Sequence, residues 1–114
     1  MSKSKRDPRF ILNSSQGLLN QLIRFYLWEN FQIRAKIWKK GKVKLRPTDV
    51  LLHNGNQPLR LIKRGSVRLV VFLSEWNAAD RLLWTKKGAT HFISLSDPIS
   101  EIHKNIKILT KSKD

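Results

Sequence analysis

Seven cations, Arg34, Lys36, Lys39, Lys40, Lys42, Lys44 and Arg46, crowd one stretch of the chain, and no carboxylate falls between Glu29 and Asp49. Alternate residues of an extended strand project to one face, so a turn at Lys39-Lys40-Gly41-Lys42 would set Arg34 and Lys36 beside Lys42, Lys44 and Arg46. Trp38 falls on the same polar phase. Cationic groups with an aromatic ring among them suit phosphate contacts combined with stacking on a base. The same residues also describe a solvated edge strand that lysines keep from pairing with other chains. A second cluster, Arg60, Lys63, Arg64 and Arg68, extends the excess of positive charge.

Other chemistry is thinly supplied. There is no cysteine, which removes disulfides, thiolate metal sites and cysteine catalysis. His53, His91 and His103 share no ligand spacing and read as structural or surface histidines. Ser14 and Ser15 lack a His/acid arrangement that would make either a nucleophile, and helix capping explains them more simply. Trp28 and Trp84 sit among apolar residues at helical spacing and read as core, whereas Trp76 follows Ser74-Glu75 in a loop and reads as an exposed contact. No paired carboxylates or nucleophile-base pair stand at a strand end, so the expectation is a protein that is not an enzyme and carries neither metal nor other cofactor.

At 114 residues the chain fits one domain with one core. Its 23 Lys+Arg against 8 Asp+Glu give a formal charge of +15, while a 40% hydrophobic share with four Trp and five Phe argues for a folded chain. So large an imbalance repels itself in the compact state and calls for a nucleic acid or an acidic protein as partner. No apolar run approaches the roughly 18 residues of a membrane span, and the basic start is not followed by a secretory signal, so a cytoplasmic location is expected.

These residues have to be positioned by elements that the hydropathy pattern lays out in order. Residues 1–8 read as a basic flexible arm, 9–110 as a single α/β domain and 111–114 as a polar tail. Phe10 to Leu12 is a short strand ending at the cap-forming Asn13-Ser14-Ser15. Apolar residues from Leu18 to Trp28 predict a helix over Gln16 to about Asn30. Period two over Gln32 to Trp38 predicts a strand. Val43 to Arg46 reads either as a returning hairpin strand or as the remnant of a short helix, and Pro47 ends it. Asp49 to Leu52 is a strand closed by the turn-rich His53-Asn54-Gly55-Asn56, and Pro58 to Lys63 a short helix at best. Val67 to Leu73 is the most apolar run and predicts a central strand. Asn77, Asp80 and Gly88 bracket a helix; His91 to Leu95 is the last strand; Ile99, Ile102, Ile106 and Leu109 mark the buried face of a helix begun by Asp97-Pro98. The alternation predicts a small doubly wound parallel sheet of about five strands flanked by helices, receiver or flavodoxin-like, with the second and third helices shortened.

Three stretches make residues 9–111 resemble a response-regulator receiver domain. Asp49-Val50-Leu51-Leu52-His53-Asn54-Gly55-Asn56-Gln57-Pro58 is similar to the receiver's third strand and phosphoacceptor loop. Val70-Val71-Phe72-Leu73-Ser74 is similar to its fourth strand with the terminal hydroxyl residue, and Gly88-Ala89-Thr90-His91-Phe92-Ile93 followed by Pro98 to its fifth strand and last loop. The resemblance implies a phosphorylation pocket at Asn13, Ser14, Asn54 and Ser74, but a degenerate one. Asn54 stands where a phosphoacceptor Asp is needed, Asn13-Ser14 where an acidic pair holds Mg²⁺, and Ser96-Asp97 where a Lys precedes the proline. Phosphoryl transfer needs those charges. The implied function is a non-catalytic, phosphorylation-independent pseudo-receiver acting as a regulatory macromolecule-binding module; the alternative is direct nucleic-acid binding by the basic strand-turn ribbon. By analogy with the fold, self-association is expected through the last helices and strand, Asp80 to Leu109.

Overall fold

The computed structural model describes residues 8–38, 44–59 and 67–110. The expected arm and tail, the turn at Lys39 to Lys42, and the Arg60 to Arg64 part of the second cluster lie outside the described residues, save Pro8 at the arm's edge.

Five strands and three helices follow one another as β1 (Phe10–Asn13), α1 (Gly17–Phe31), β2 (Lys36–Ile37), β3 (Val50–Asn54), β4 (Arg68–Leu73), α2 (Ala78–Lys86), β5 (Ala89–Ser94) and α3 (Ile99–Leu109). The strands form one sheet in the order β2-β1-β3-β4-β5, and every pairing is parallel. This is the flavodoxin-like arrangement expected from the alternation of elements.

The period of two along each strand divides the core. Phe10, Leu12, Val50, Leu52, Val70 and Phe72 face α1 and α3 and pack with Leu27, Ile106 and Leu109. Ile11, Leu51, Leu69 and Val71 face the other way and pack with Trp84 of α2. Both faces of β3 and β4 are therefore covered, which is why these strands read as nearly unbroken apolar runs. On the second face Trp38, Leu45, Leu59, Trp76 and Phe92 complete the cover around α2.

Local signals explain most boundaries. The Asn77 side chain accepts a hydrogen bond from the Asp80 N–H at 2.8 Å, capping α2. Gly88, at φ 106°, turns the chain out of α2 into β5. α1 stops differently. Gln32 takes the left-handed conformation at φ 59°, its N–H bonded to the Trp28 carbonyl and that of Ile33 to the Leu27 carbonyl. This reversal shortens the strand expected over Gln32 to Trp38, since only Lys36 and Ile37 reach the edge of β1. The described part of the expected hairpin is also different: β2 pairs in parallel with β1, and residues 44–46 form neither strand nor helix.

The end of the sheet at which β1 and β3 begin is tied by Arg9 and Asp49. The Arg9 guanidinium donates to both oxygens of the buried Asp49 carboxylate, at 2.9 and 2.6 Å. Asp49 also accepts from the Arg46 N–H at 2.8 Å, and Arg9 donates to the Lys44 carbonyl at 2.9 Å. The hydrogen bond to Asp49 raises the Arg9 pKa further above its ordinary value, against a smaller opposing effect of burial.

Candidate functional site at the sheet's switch point

In doubly wound sheets ligands bind beyond the carboxyl ends of the strands, where the strand order reverses. Here that point lies between β1 and β3, whose last residues stand in register, Asn13 opposite His53. β1 delivers Asn13, the loop into α1 delivers Ser14 to Gln16, and β3 delivers His53 and Asn54.

His53 is fully buried on the α2 side of the sheet, its ring 5.1 Å from that of Trp84. Its Nε2 lies 2.9 Å from the Gln57 carbonyl and its Nδ1 lies 3.0 Å from the Asn13 amide nitrogen. A carbonyl only accepts, so Nε2 carries the proton and Nδ1 accepts from Asn13. The imidazole is neutral in this arrangement. Burial pushes its pKa below the ordinary histidine range, more than the bond to the Gln57 carbonyl raises it, and Lys87 adds to the depression.

Asn54, 1% exposed, points to the α1 side. Its amide nitrogen donates to the Ser14 hydroxyl at 3.3 Å and toward the Gln16 side-chain oxygen at 3.5 Å, while its oxygen accepts from the Asn56 N–H at 2.9 Å. The Ser14 hydroxyl also accepts from the Gln16 N–H at 3.2 Å, and the Ser14 carbonyl accepts from the Asn20 amide at 2.8 Å. The Ser15 N–H donates to the Gln57 side chain. Thus Asn13-Ser14-Ser15 organise the entry to α1 from before its first turn, and no side-chain cap closes the helix at Gln16. Each polar group of Asn54 and His53 is engaged with the protein itself.

Of the four residues assigned to the degenerate pocket, Asn13, Ser14 and Asn54 meet at these strand ends. Ser74 is exposed beyond β4, its carbonyl accepting from the Ser94 hydroxyl at 2.9 Å and the Ser96 N–H at 3.1 Å. His53, read as a structural or surface histidine, is buried and joins Asn13, Ser14 and Asn54 together with Gln16 and Gln57; the signal for all three is polar side chains directly flanking the two strand ends. An amide, a hydroxyl and a neutral imidazole provide hydrogen bonds but no negative charge to hold a divalent cation and no strong nucleophile. Among the described residues no group of three or more His, Asp or Glu could hold a metal ion. No helix among them is long and apolar enough to cross a membrane.

The basic ribbon is only partly described. Arg34, Lys36, Lys44 and Arg46 are exposed, whereas Lys39, Lys40 and Lys42 lie outside the described residues, as do Arg60, Lys63 and Arg64. Arg68 is half-buried, donates to the Leu109 carbonyl at 3.2 Å, and has its pKa lowered by burial. Trp38 keeps the phase of Lys36, opposite to Ile37, and its backbone N–H continues the pairing with β1 by donating to the Leu12 carbonyl at 2.9 Å, but on that face its ring is half-buried against the second core. Trp76, read as an exposed contact, is half-buried. Its indole N–H donates to the Ile93 carbonyl at 2.8 Å and its ring meets Phe92 edge-on at 4.8 Å. Trp84 is buried as expected, but Trp28, read as core, is 39% exposed.

Comparison with known proteins finds no match for the chain among family models, curated proteins or solved structures.

Proposed function

We propose that this chain is a non-catalytic, phosphorylation-independent module with a receiver-like fold, working by binding a macromolecule. The observation that carries the reading is the chemistry of the switch point. Asn54 and His53 occupy the end of the central strand with their hydrogen bonds turned inward, and Asn13 and Ser14 stand opposite without a carboxylate between them. A pocket so composed has little to offer Mg²⁺ or a phosphoryl group, while a charge of +15 favours an anionic partner, nucleic acid or acidic protein. A cytoplasmic location and self-association through Asp80 to Leu109 remain part of this proposal.

Incubation with acetyl phosphate and Mg²⁺, read by intact mass and by amide shifts around Asn54, tests it. No adduct and no Mg²⁺-dependent shift are expected. A phosphoryl adduct, or large shifts at residues 13, 14 and 54, would overturn the reading.

The alternative, direct nucleic-acid binding by the ribbon from Arg34 to Arg46, is favoured by the exposure of Arg34, Lys36, Lys44 and Arg46. Mixed charge reversal of Lys39, Lys40, Lys42 and Lys44 is expected to weaken such binding and flatten its salt dependence.

A further inference from the structure

α1 keeps apolar residues on the side turned away from the sheet. Phe25 is 65% exposed and Trp28 39%. Where the chain reverses at Gln32 and runs toward β2, it lays Arg34 beside this surface, with the guanidinium carbon 4.9 Å from the centre of the Trp28 ring. Arg24, Phe25 and Trp28 from the helix and Ile33 and Arg34 from the returning chain line an open depression of about 490 Å³. No carboxylate lines it.

We propose that this depression, between α1 and the segment leading into β2, binds single-stranded nucleic acid. The inference rests on the macromolecule-binding reading above and names both the partner and the place. The Phe25 ring and the face of Trp28 that Arg34 leaves open offer surfaces on which bases stack, and Arg24 and Arg34 on the same lining supply phosphate contacts. The Gln21 amide, also on the lining, is placed to hydrogen-bond a base edge. Unpaired strands fit this chemistry because their base faces are free, whereas in a duplex those faces are covered by neighbouring pairs. The chain's charge of +15 opposes occupation of the same surface by a second copy and favours a polyanion.

The test is fluorescence anisotropy of labelled oligo(dT) and oligo(U) with the full chain at several salt concentrations, with poly-glutamate as competitor. Salt-dependent binding to the oligonucleotides is expected, with poly-glutamate a weak competitor. Phe25→Ala and Trp28→Ala are each expected to weaken it about tenfold without changing the salt slope, as lost base stacking does. Arg24→Gln and Arg34→Gln are each expected to reduce the slope by about one. Trp28→Phe, which keeps a ring, is expected to restore most of the affinity, and circular dichroism of each variant checks that it folds. Affinity unchanged by both alanine variants would overturn the proposal by placing binding elsewhere, as on the ribbon. Poly-glutamate competing as well as oligonucleotide would overturn it in favour of an acidic protein partner and leave the module reading standing. No oligonucleotide binding at low salt would also overturn it, whereas the module reading itself fails on a phosphoryl adduct or large Mg²⁺-dependent shifts at the switch point.

Discussion

The amide nitrogen of Asn13 stands 3.0 Å from Nδ1 of His53, across the paired ends of β1 and β3. Because the opposite ring nitrogen donates to the Gln57 carbonyl, a second proton on the ring would have to sit at Nδ1, facing a donor. The fold is therefore matched to one protonation state and one tautomer of a buried histidine.

Stability should depend on pH through this residue. Burial lowers the folded-state pKa below the unfolded value of about 6.5. Between the two values the unfolded chain binds more protons, so stability rises with pH. The contribution is complete above the unfolded pKa and is lost as pH falls from there toward the folded pKa. Urea midpoints are expected to drop on going from neutral to mildly acidic buffer, and His53→Gln should flatten that segment of the profile while lowering stability throughout.

Asn54→Asp puts a carboxylate where the resemblance to receivers looks for one. It keeps the acceptor for the Asn56 N–H but removes the donor to Ser14 and Gln16, and places a charge at a 1% exposed position. A loss of about 1–3 kcal/mol near neutral pH is expected, smaller in acid as the new carboxyl protonates. Denaturant titrations at two pH values check it. With Asn13 and Ser14 unchanged, the variant is also expected to resist labelling by acetyl phosphate.

Arg9→Ala should cost about 3 kcal/mol, because Asp49 is 1% exposed and, among the described residues, would keep only the Arg46 N–H as a donor to its carboxylate. Asp49→Asn should cost less, since no buried charge is stranded. The order of the two midpoints is the measurement, and equal losses would mean that the Arg9 side chain contributes only packing.

Gln32→Gly is expected to stabilise the protein by about 0.5–1 kcal/mol. Gln32 is exposed in the left-handed region at φ 59°, where a side chain strains the backbone and glycine does not. Its side-chain bond to the Trp28 carbonyl at 3.1 Å is solvent-exposed and offsets little of this. Thermal melts of the two proteins decide the sign.

The central elements were legible because their signals are local. Val67 to Leu73 is apolar enough that only burial on both faces explains it, and Asn77, Asp80 and Gly88 bracket α2 by backbone chemistry that needs no tertiary partner. α1 was legible as a helix but not in its facing. Its apolar residues spread over most of the circumference, so the sheet decides that Leu27 goes inside while Leu18, Leu22, Phe25 and Trp28 stay in solvent. The period of two over Gln32 to Trp38 forecasts burial correctly at Ala35 and exposure at Arg34 and Lys36. It overstates the strand because pairing depends on where the chain leaving α1 meets β1. At the switch point Asn13, Ser14 and Asn54 were readable as strand ends. The role of His53 was not, since a histidine next to a turn looks the same whether it faces water or the indole of Trp84.

The all-parallel order of the sheet also bears on how the chain reaches this structure. Each strand must wait for a crossover to close before its neighbour arrives, and the central β3 needs partners from both earlier and later in the chain. Such long-range pairing is slow, so the apolar β3 and β4 spend time uncovered during folding. A chain carrying +15 repels other copies of itself through that interval. The same charge that prompts the proposal of an anionic partner thus also opposes aggregation of the unfinished chain.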